Sequence, residues 1–189
     1  MTNIAILASG TGSNARKIVE YFSNSEDIAV RLIASNKAKA KVLDIADEYQ
    51  VHKFAFDRAY FYERQDFLKV LKKERIDFII LAGFLWMLPE YLIKAYPNRI
   101  INIHPSLLPK YGGKGMYGHN VHEAVKANSE SESGITIHLV NEEYDRGRVI
   151  FQRKVQLEAD DSAEIIAKKV LEIEHEFFPR VIEDFILTF

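Results

Sequence analysis

The chain has 189 residues, of which 48% are hydrophobic and 28% charged, and it contains no cysteine. A chain of this length buries about 70% of its extended surface on folding, which gives a core large enough to fold without metal or disulfide crosslinks. The 25 basic and 27 acidic side chains leave a formal charge of −2, so nucleic acid is disfavoured as a partner. The lack of cysteine excludes disulfides, thiolate zinc sites and cysteine nucleophiles.

The N-terminal residues enter an apolar run without a basic leader. No later segment approaches the roughly 18 uninterrupted apolar residues of a membrane span. We therefore expect a cytoplasmic protein with no membrane partner. The sequence makes no prediction of the oligomeric state.

Short apolar runs without polar alternation predict strands that are buried on both faces at residues 3–8, 29–34 and 78–82. Further strands are predicted at residues 99–103, 134–140 and 149–155. Amphipathic spacing predicts helices over residues 14–22, 38–49, 61–73 and 162–185, with a short one near Pro89. Ser162 has N-cap chemistry for the last of them. This alternation predicts an α/β fold, a Rossmann-like open and mostly parallel twisted sheet with helices on both faces, in a single domain over residues 1–189.

Proline and glycine concentrate between residues 89 and 118, which hold four of the five prolines and four of the nine glycines. We therefore expect a long irregular loop there, and long loops in compact domains are usually functional. The glycines from Gly112 to Gly118 make that segment a candidate lid.

The first motif is the turn after the first predicted strand, where Gly10, Gly12, Ser13 and Asn14 precede a helix. Glycines let backbone N–H groups approach an anion, and the helix N-terminus adds about half a positive charge, so the turn predicts a phosphate site. A plain turn capped by Ser13 is the structural alternative.

The same turn matches the dinucleotide fingerprint, which also needs an acidic residue about 20 positions later. The chain reads Ser35-Asn36-Lys37 there. NAD is therefore disfavoured. NADP is also disfavoured, although the Lys37 ammonium could bind its 2′-phosphate.

The second motif is a strand end that carries Asn102 and His104, with Pro105 directly after it. Alternation puts the amide and the imidazole on one face of the strand, and Pro105 stops ladder pairing. In open α/β sheets, ligands bind at the carboxyl ends of strands. A core histidine beside a turn-forming asparagine is the alternative, and the prolines and glycines that follow disfavour it.

The third motif is the acidic connection between the last two strands, in which we interpret Glu142 and Glu143 as solvated. Asp145 precedes Arg146-Gly147 at the start of a strand, where its carboxylate could face His104.

Among the other histidines, we expect His119 in a loop, His122 in a helix and His138 packed within a strand. Two imidazoles without a third ligand make a poor metal site. Glu174 is expected to be buried or to face a ligand.

Taken together, the motifs resemble those of the folate-dependent phosphoribosylglycinamide formyltransferases. The resemblance runs over nearly the whole chain and is carried by residues 9–14, 35–38, 81–84, 102–109, 145–147 and 174–175. The run Asn-Ile-His-Pro-Ser-Leu-Leu-Pro at 102–109 is specific for enzymes that use formyltetrahydrofolate. The Gly-x-Gly-Ser-Asn turn distinguishes this branch.

The resemblance implies that Gly12, Ser13 and Asn14 hold the substrate phosphate. It implies that Pro105 and Glu174 contact the substrate, and that the folate pterin is held by Leu85, Trp86, Met87, Leu88, Val140 and Asn141. Asn102, His104 and Asp145 match the catalytic trio. Two features depart from the family pattern: Trp86 replaces a residue that is often basic, and the loop 111–120 is longer and richer in glycine.

The implied reaction transfers a formyl group from 10-formyltetrahydrofolate, a co-substrate, to phosphoribosylglycinamide in purine biosynthesis, with no metal and no covalent enzyme intermediate. A formyltetrahydrofolate hydrolase is the nearest alternative, but it usually has an extra N-terminal domain, and this chain begins at its first strand. A methionyl-tRNA formyltransferase would need an RNA-binding module. A phosphate-sensing module without catalysis would not need Asn102 and His104 on one strand face.

Overall fold

The structure, a computed structural model, describes all residues from Met1 to Phe189. Its strands are β1 Thr2–Leu7, β2 Ile28–Ser35, β3 His52–Ala55, β4 Phe78–Leu81, β5 Ile100–His104, β6 Glu132–Leu139 and β7 Val149–Gln156. They form one seven-stranded sheet in the order β3-β2-β1-β4-β5-β6-β7. The pairs β1–β2, β1–β4 and β2–β3 are parallel, and β6–β7 is antiparallel. The predicted α/β fold with a mostly parallel sheet is confirmed.

The α-helices are α1 Ser13–Phe22, α2 Val42–Glu48, α3 Phe67–Lys73, α4 Glu90–Ala95, α5 His119–Ala127 and α6 Ala163–Leu187. A π-helical turn, Ala59–Glu63, precedes α3. None of these helices is long and apolar enough to cross a membrane.

The chain divides into two compact units, Met1–Ile101 and Asn102–Phe189. In the first unit, β1 lies between β2 and β4, so the strand order reverses there. The carboxyl ends of the strands beside such a reversal are where open α/β sheets bind ligands. Most side chains of β1 and all of β4 are buried, as their apolar runs predict.

In the second unit, α6 packs along β6 and β7 and also contacts α5. Ser162 is the N-cap of α6, and its hydroxyl accepts a hydrogen bond from the Ile165 N–H, as predicted. Residues of β6 from Ser133 to Leu139 are all buried, whereas β7 is largely exposed. The second unit therefore has its core between β6 and the long helix.

Three helix predictions need correction. The single helix predicted over residues 61–73 is wrong: the left-handed backbone of Gln65 (φ 55°) separates the π-helical turn from α3. The helix predicted from residue 38 begins only at Val42, whose N–H donates to the Gly10 carbonyl. His119, expected in a loop, is the first residue of α5, whereas His122 lies in that helix as predicted.

Candidate active site

Strand β5 carries an amide and an imidazole on one face at its carboxyl end. Asn102 is half-buried and His104 is 4% exposed. The Nε2 of His104 lies 2.8 Å from the Tyr111 carbonyl. A carbonyl only accepts, so Nε2 carries a proton and donates it there. The nitrogen left for proton exchange is Nδ1.

Asp145 reaches this strand end from the connection between β6 and β7. Its Oδ1 lies 3.6 Å from His104 Nδ1 and 3.6 Å from His138 Nε2. Its Oδ2 accepts a hydrogen bond of 2.8 Å from the Gly113 N–H. The backbone of Asp145 is left-handed (φ 53°), a conformation in which aspartate and asparagine are enriched. The carboxylate therefore faces His104, as expected from the sequence, and also faces a second imidazole.

That second imidazole, His138, is a site residue that sequence reasoning missed. It is buried within β6, as predicted, but its Nδ1 lies 2.8 Å from the Leu139 carbonyl and must donate to it. Its Nε2 lies 3.0 Å from Asn102 Nδ2 and accepts a hydrogen bond from that amide. His138 thus orients the Asn102 amide and leaves one of its N–H groups for another acceptor.

The protonation states follow from these contacts. Burial lowers the pKa of His104 below its ordinary value, although the charge of Asp145 and the Tyr111 carbonyl oppose this. Burial acts to raise the pKa of Asp145, but the charge of His104 and the hydrogen bond from the Gly113 N–H hold it below its usual range. At neutral pH the site therefore contains an uncharged His104 imidazole beside an ionised Asp145 carboxylate.

A hydrogen-bonded network fixes the segment that follows β5. The Thr136 hydroxyl donates to the Ser106 carbonyl (2.7 Å) and accepts from the Leu108 N–H (3.0 Å). The Gln152 amide donates to the Leu108 carbonyl (2.9 Å). Pro105, predicted to contact the substrate, is half-buried at the start of this segment. The strand end and its loop are thus held rigidly from β6 and β7.

The first unit contains the predicted phosphate turn. Gly12 has a left-handed backbone (φ 81°) and occupies the N-cap of α1, so Ser13 is not the cap. Ser13 and Asn14 form the first turn of the helix, where backbone N–H groups have no partner within the helix. The turn therefore directs N–H groups and the positive end of the helix dipole to one place.

The segment predicted to hold a pterin is tied to that turn within the first unit. The Ser9 hydroxyl accepts from the Leu85 N–H (2.9 Å) and donates to the Asn36 side chain (2.7 Å). Among the four residues named for this role, Leu85 and Met87 are exposed, Trp86 is half-buried and Leu88 is buried. Trp86 packs in an aromatic cluster with Phe56, Phe61, Tyr62 and Phe84.

The remaining predicted site residues lie in the second unit. Val140 is half-buried and Asn141 is exposed, and both directly follow β6. Glu174 is 8% exposed on α6, so it is buried as expected. The candidate lid from Gly112 to Gly118 has left-handed glycines at positions 113, 115 and 118.

The comparisons with known proteins agree over nearly the whole chain. A family model described as formyl transferase matches residues 2–182. The chain is 41% identical over 188 residues to a chloroplastic phosphoribosylglycinamide formyltransferase of Arabidopsis thaliana, covering 95% of this chain and 63% of that protein. It is 32% identical to the phosphoribosylglycinamide formyltransferase of Bacillus subtilis (strain 168), covering 97% of this chain and 94% of that protein.

Solved structures give the same result. The crystal structure of phosphoribosylglycinamide formyltransferase from Streptococcus pneumoniae TIGR4 superposes with a TM-score of 0.86 at 32% identity, covering 98% of this chain and 99% of that one. The chain spans about six tenths of the length of two plant relatives, 63% and 59%.

The fold and the site define an α/β protein in which an amide, two imidazoles and a carboxylate meet at the carboxyl end of a strand. The matching family model and relatives make the assignment specific: the chain belongs to the formyl transferase family.

Proposed function

We propose that this chain transfers the formyl group of 10-formyltetrahydrofolate to the amine of phosphoribosylglycinamide. The observation that carries the proposal is the position of Asp145, whose Oδ1 lies 3.6 Å from both His104 and His138 at the end of β5. These groups can donate hydrogen bonds to an oxyanion and move a proton. Acyl transfer between two nitrogens needs both capacities.

In the proposed reaction the substrate amine attacks the formyl carbon, and a tetrahedral oxyanion forms. The Asn102 N–H that is not bonded to His138 donates to this oxyanion, a contribution typically worth about 10²- to 10³-fold in rate. The intermediate collapses when the bond from carbon to folate N10 breaks. Overall, the amine loses one proton and N10 gains one.

His104 and Asp145 are proposed to handle that proton. Because His104 Nε2 holds its proton against the Tyr111 carbonyl, exchange takes place at Nδ1, beside the Asp145 carboxylate. The ionised Asp145 stabilises the imidazolium that forms when Nδ1 accepts a proton. Proton transfer of this kind contributes about 10²- to 10⁴-fold.

We further propose that the turn of Gly12, Ser13 and Asn14 binds the substrate phosphate and that Pro105 and Glu174 contact the substrate. The pterin is assigned to Leu85, Trp86, Met87, Leu88, Val140 and Asn141. The left-handed Gly12 and the N-terminus of α1 support the phosphate assignment. The exposed Leu85 and Met87 offer apolar surface that suits an aromatic ring.

One assay tests the proposal. The protein is mixed with 10-formyltetrahydrofolate, and tetrahydrofolate release is followed with and without phosphoribosylglycinamide. Release that depends on the ribonucleotide is the expected result. Release without it would identify a hydrolase instead, and no release under either condition would refute the catalytic assignment.

A further inference from the structure

The Tyr111 carbonyl determines which nitrogen of His104 exchanges protons, and its position is set by an unusual backbone. Tyr111 has φ 56°, a left-handed conformation that non-glycine residues seldom adopt. It lies directly before the glycines of the candidate lid. A backbone of this kind persists only where the surrounding contacts hold it, so the contacts of Tyr111 decide how firmly His104 is held.

Glu130, in the connection between α5 and β6 of the same unit, provides those contacts. The Tyr111 hydroxyl donates to Glu130 Oε1 at 2.9 Å, and the Lys110 ammonium donates to the two carboxylate oxygens at 2.9 and 3.1 Å. The Ser106 hydroxyl donates to the Lys110 carbonyl at 2.6 Å. Side chains on consecutive residues are thus tied to one carboxylate, which holds both ends of Tyr111: its side chain directly and its backbone through Lys110. The Tyr111 carbonyl leaves from a residue held in this way.

Glu130 is itself held by the chain around it. It follows Ser129, and its N–H donates to the Val125 carbonyl in α5. Its side chain is 22% exposed, against 65% for Lys110. The Glu130 carboxylate therefore has a fixed place from which to position Lys110 and Tyr111.

We propose that Glu130 and the Tyr111 hydroxyl are positioning residues for His104, acting through the Tyr111 carbonyl that accepts the Nε2 proton. This inference rests on the proposed function for its kinetic consequence, although its structural consequence can be measured without turnover. Glu130 is linked to His104 through Tyr111, whose hydroxyl contacts Glu130 and whose carbonyl contacts His104. Loss of its contacts loosens the acceptor, whereas the hydrogen bond between Asn102 and His138 involves no residue of this segment.

The expected effect on His104 has a defined direction. The Tyr111 carbonyl raises the pKa of His104, as does Asp145, whereas burial and His138 lower it. The charge of His104 also acts on His122 of α5. A loosened carbonyl therefore lowers the pKa of His104, while the charges of His138 and His122 stay in place.

The experiment compares Tyr111→Phe, Glu130→Ala, Glu130→Gln and the double variant Tyr111→Phe/Glu130→Ala. Glu132→Ala is the matched control, because Glu132 pairs with Lys154 at 2.8 Å in the same unit but has no link to Tyr111. Two readouts are taken: kcat and KM in the formyl transfer assay, and the titration of both His104 ring nitrogens by long-range ¹H–¹⁵N spectra.

We expect Tyr111→Phe and Glu130→Ala to lower kcat about 10-fold with KM changed less than about twofold, since small displacements of a catalytic group cost rate. The pKa of His104 should fall below its wild-type value. The double variant should be no worse than the slower single variant, because both changes break one link. Glu130→Gln, which still accepts from the Tyr111 hydroxyl, should restore most of the rate.

Unchanged His104 titration in Tyr111→Phe and Glu130→Ala would overturn the proposal, as would an equal loss of kcat in Glu132→Ala. Additive losses in the double variant would also overturn it. A wild-type protein without formyl transfer activity would refute the proposed function alone, because the titration of His104 still tests the link to Glu130.

Discussion

At the scale of single residues, the contacts of His104 and Asp145 suit the two roles in proton transfer that we propose for them. His104 is fixed by the Tyr111 carbonyl at one nitrogen and faces Asp145 with the other. Asp145 in turn is held by the Gly113 N–H. Each side chain therefore has one atom held by the backbone, His104 Nε2 or Asp145 Oδ2, and a second atom, Nδ1 or Oδ1, that faces the other side chain.

We predict that Asp145→Asn lowers kcat about 10²-fold or more, because the carboxamide cannot stabilise an imidazolium at His104. His104→Ala should show a comparable loss. Asparagine tolerates the left-handed backbone of position 145, so the fold should be retained. Steady-state kinetics measure the rate, and binding of phosphoribosylglycinamide should change little.

Glu142→Gln is the control for this prediction, since Glu142 is an exposed acid in the same connection. Wild-type turnover by Asp145→Asn or by His104→Ala would remove that residue from the mechanism.

Sequence reasoning predicted Asn102, His104 and Asp145 but treated His138 as a packed strand residue. The available signal was the polar spacing of Thr136 and His138, which alternate with isoleucines along β6 and so share a face. The sequence did not reveal that this face meets Asn102. That contact depends on the pairing of distant segments, which local patterns do not encode.

At the scale of elements, the turn between β1 and α1 is restricted by α2. A Cβ at Gly12 would lie 2.6 Å from Val42 Cγ2 and 2.9 Å from Ile45 Cδ1, whereas a Cβ at Gly10 meets nothing within 4 Å. Only one of the two glycines in the motif is therefore required by packing, which the spacing Gly-x-Gly alone does not reveal.

We predict that Gly12→Ala destabilises the protein by about 2–4 kcal/mol, the sum of a left-handed backbone and an overpacked contact. It should also weaken phosphate-ligand binding, because the turn must shift. Gly10→Ala is the matched comparison for stability and should cost less than about 1 kcal/mol. Urea unfolding measures both, and equal costs for the two variants would contradict the assigned packing.

The connection between β6 and β7 has a second such position. A Cβ at Gly147 would lie 1.6 Å from the Leu139 carbonyl oxygen, which also accepts from His138 Nδ1. We predict that Gly147→Ala costs more than about 3 kcal/mol, since backbone must move. It should also lower kcat.

Gly115→Ala provides the comparison for Gly147→Ala. Its Cβ meets nothing within 4 Å, and its left-handed backbone (φ 88°) alone should cost about 1–2 kcal/mol. Thermal unfolding of the two variants should separate them clearly. A Gly147→Ala protein as stable as Gly115→Ala would show that the connection can rearrange.

The element predictions succeeded where periodicity was strong and failed where long-range contacts intervened. The long helix with its Ser162 cap was predicted to within about two residues at its end. The helix predicted over 61–73 was wrong because Phe61 packs in an aromatic cluster with Phe56 and Phe67, and the chain bends at Gln65 between them. Amphipathic spacing does not distinguish these two arrangements.

At the scale of the whole molecule, one buried histidine links stability to pH. His122 is 6% exposed, and its Nδ1 has no hydrogen-bond partner. Burial, with the charges of His119 and His104, lowers its pKa from 6.5 to about 4. Between those values the unfolded chain binds a proton that the folded chain does not, so stability is present above pH 6.5 and is lost as pH falls toward 4.

We predict that this group alone removes about 3 kcal/mol of unfolding free energy as pH falls from about 7 to 4. His122→Leu should reduce that pH dependence by a similar amount. Urea unfolding at a series of pH values measures it. An unchanged pH dependence in the variant would show that His122 gains a partner for its proton in the folded state.

The α/β fold class was largely predictable, because buried parallel strands and the helices between them have distinctive patterns. The strand order and the reversal beside β1 were not, since they depend on which strands pair. A single domain over 1–189 remains a prediction beside the two compact units, Met1–Ile101 and Asn102–Phe189.

The hydrogen bond from the Gly113 N–H to Asp145 Oδ2 gives the glycine-rich segment an electrostatic consequence. If the segment swings outward, it withdraws a proton donor from the carboxylate, and the proton affinity of Asp145 rises. If the segment is the lid predicted from its glycines, one movement changes both the access of ligands and the proton affinity of Asp145. The Asp145 carboxylate is then more basic when the segment is open than when it is closed.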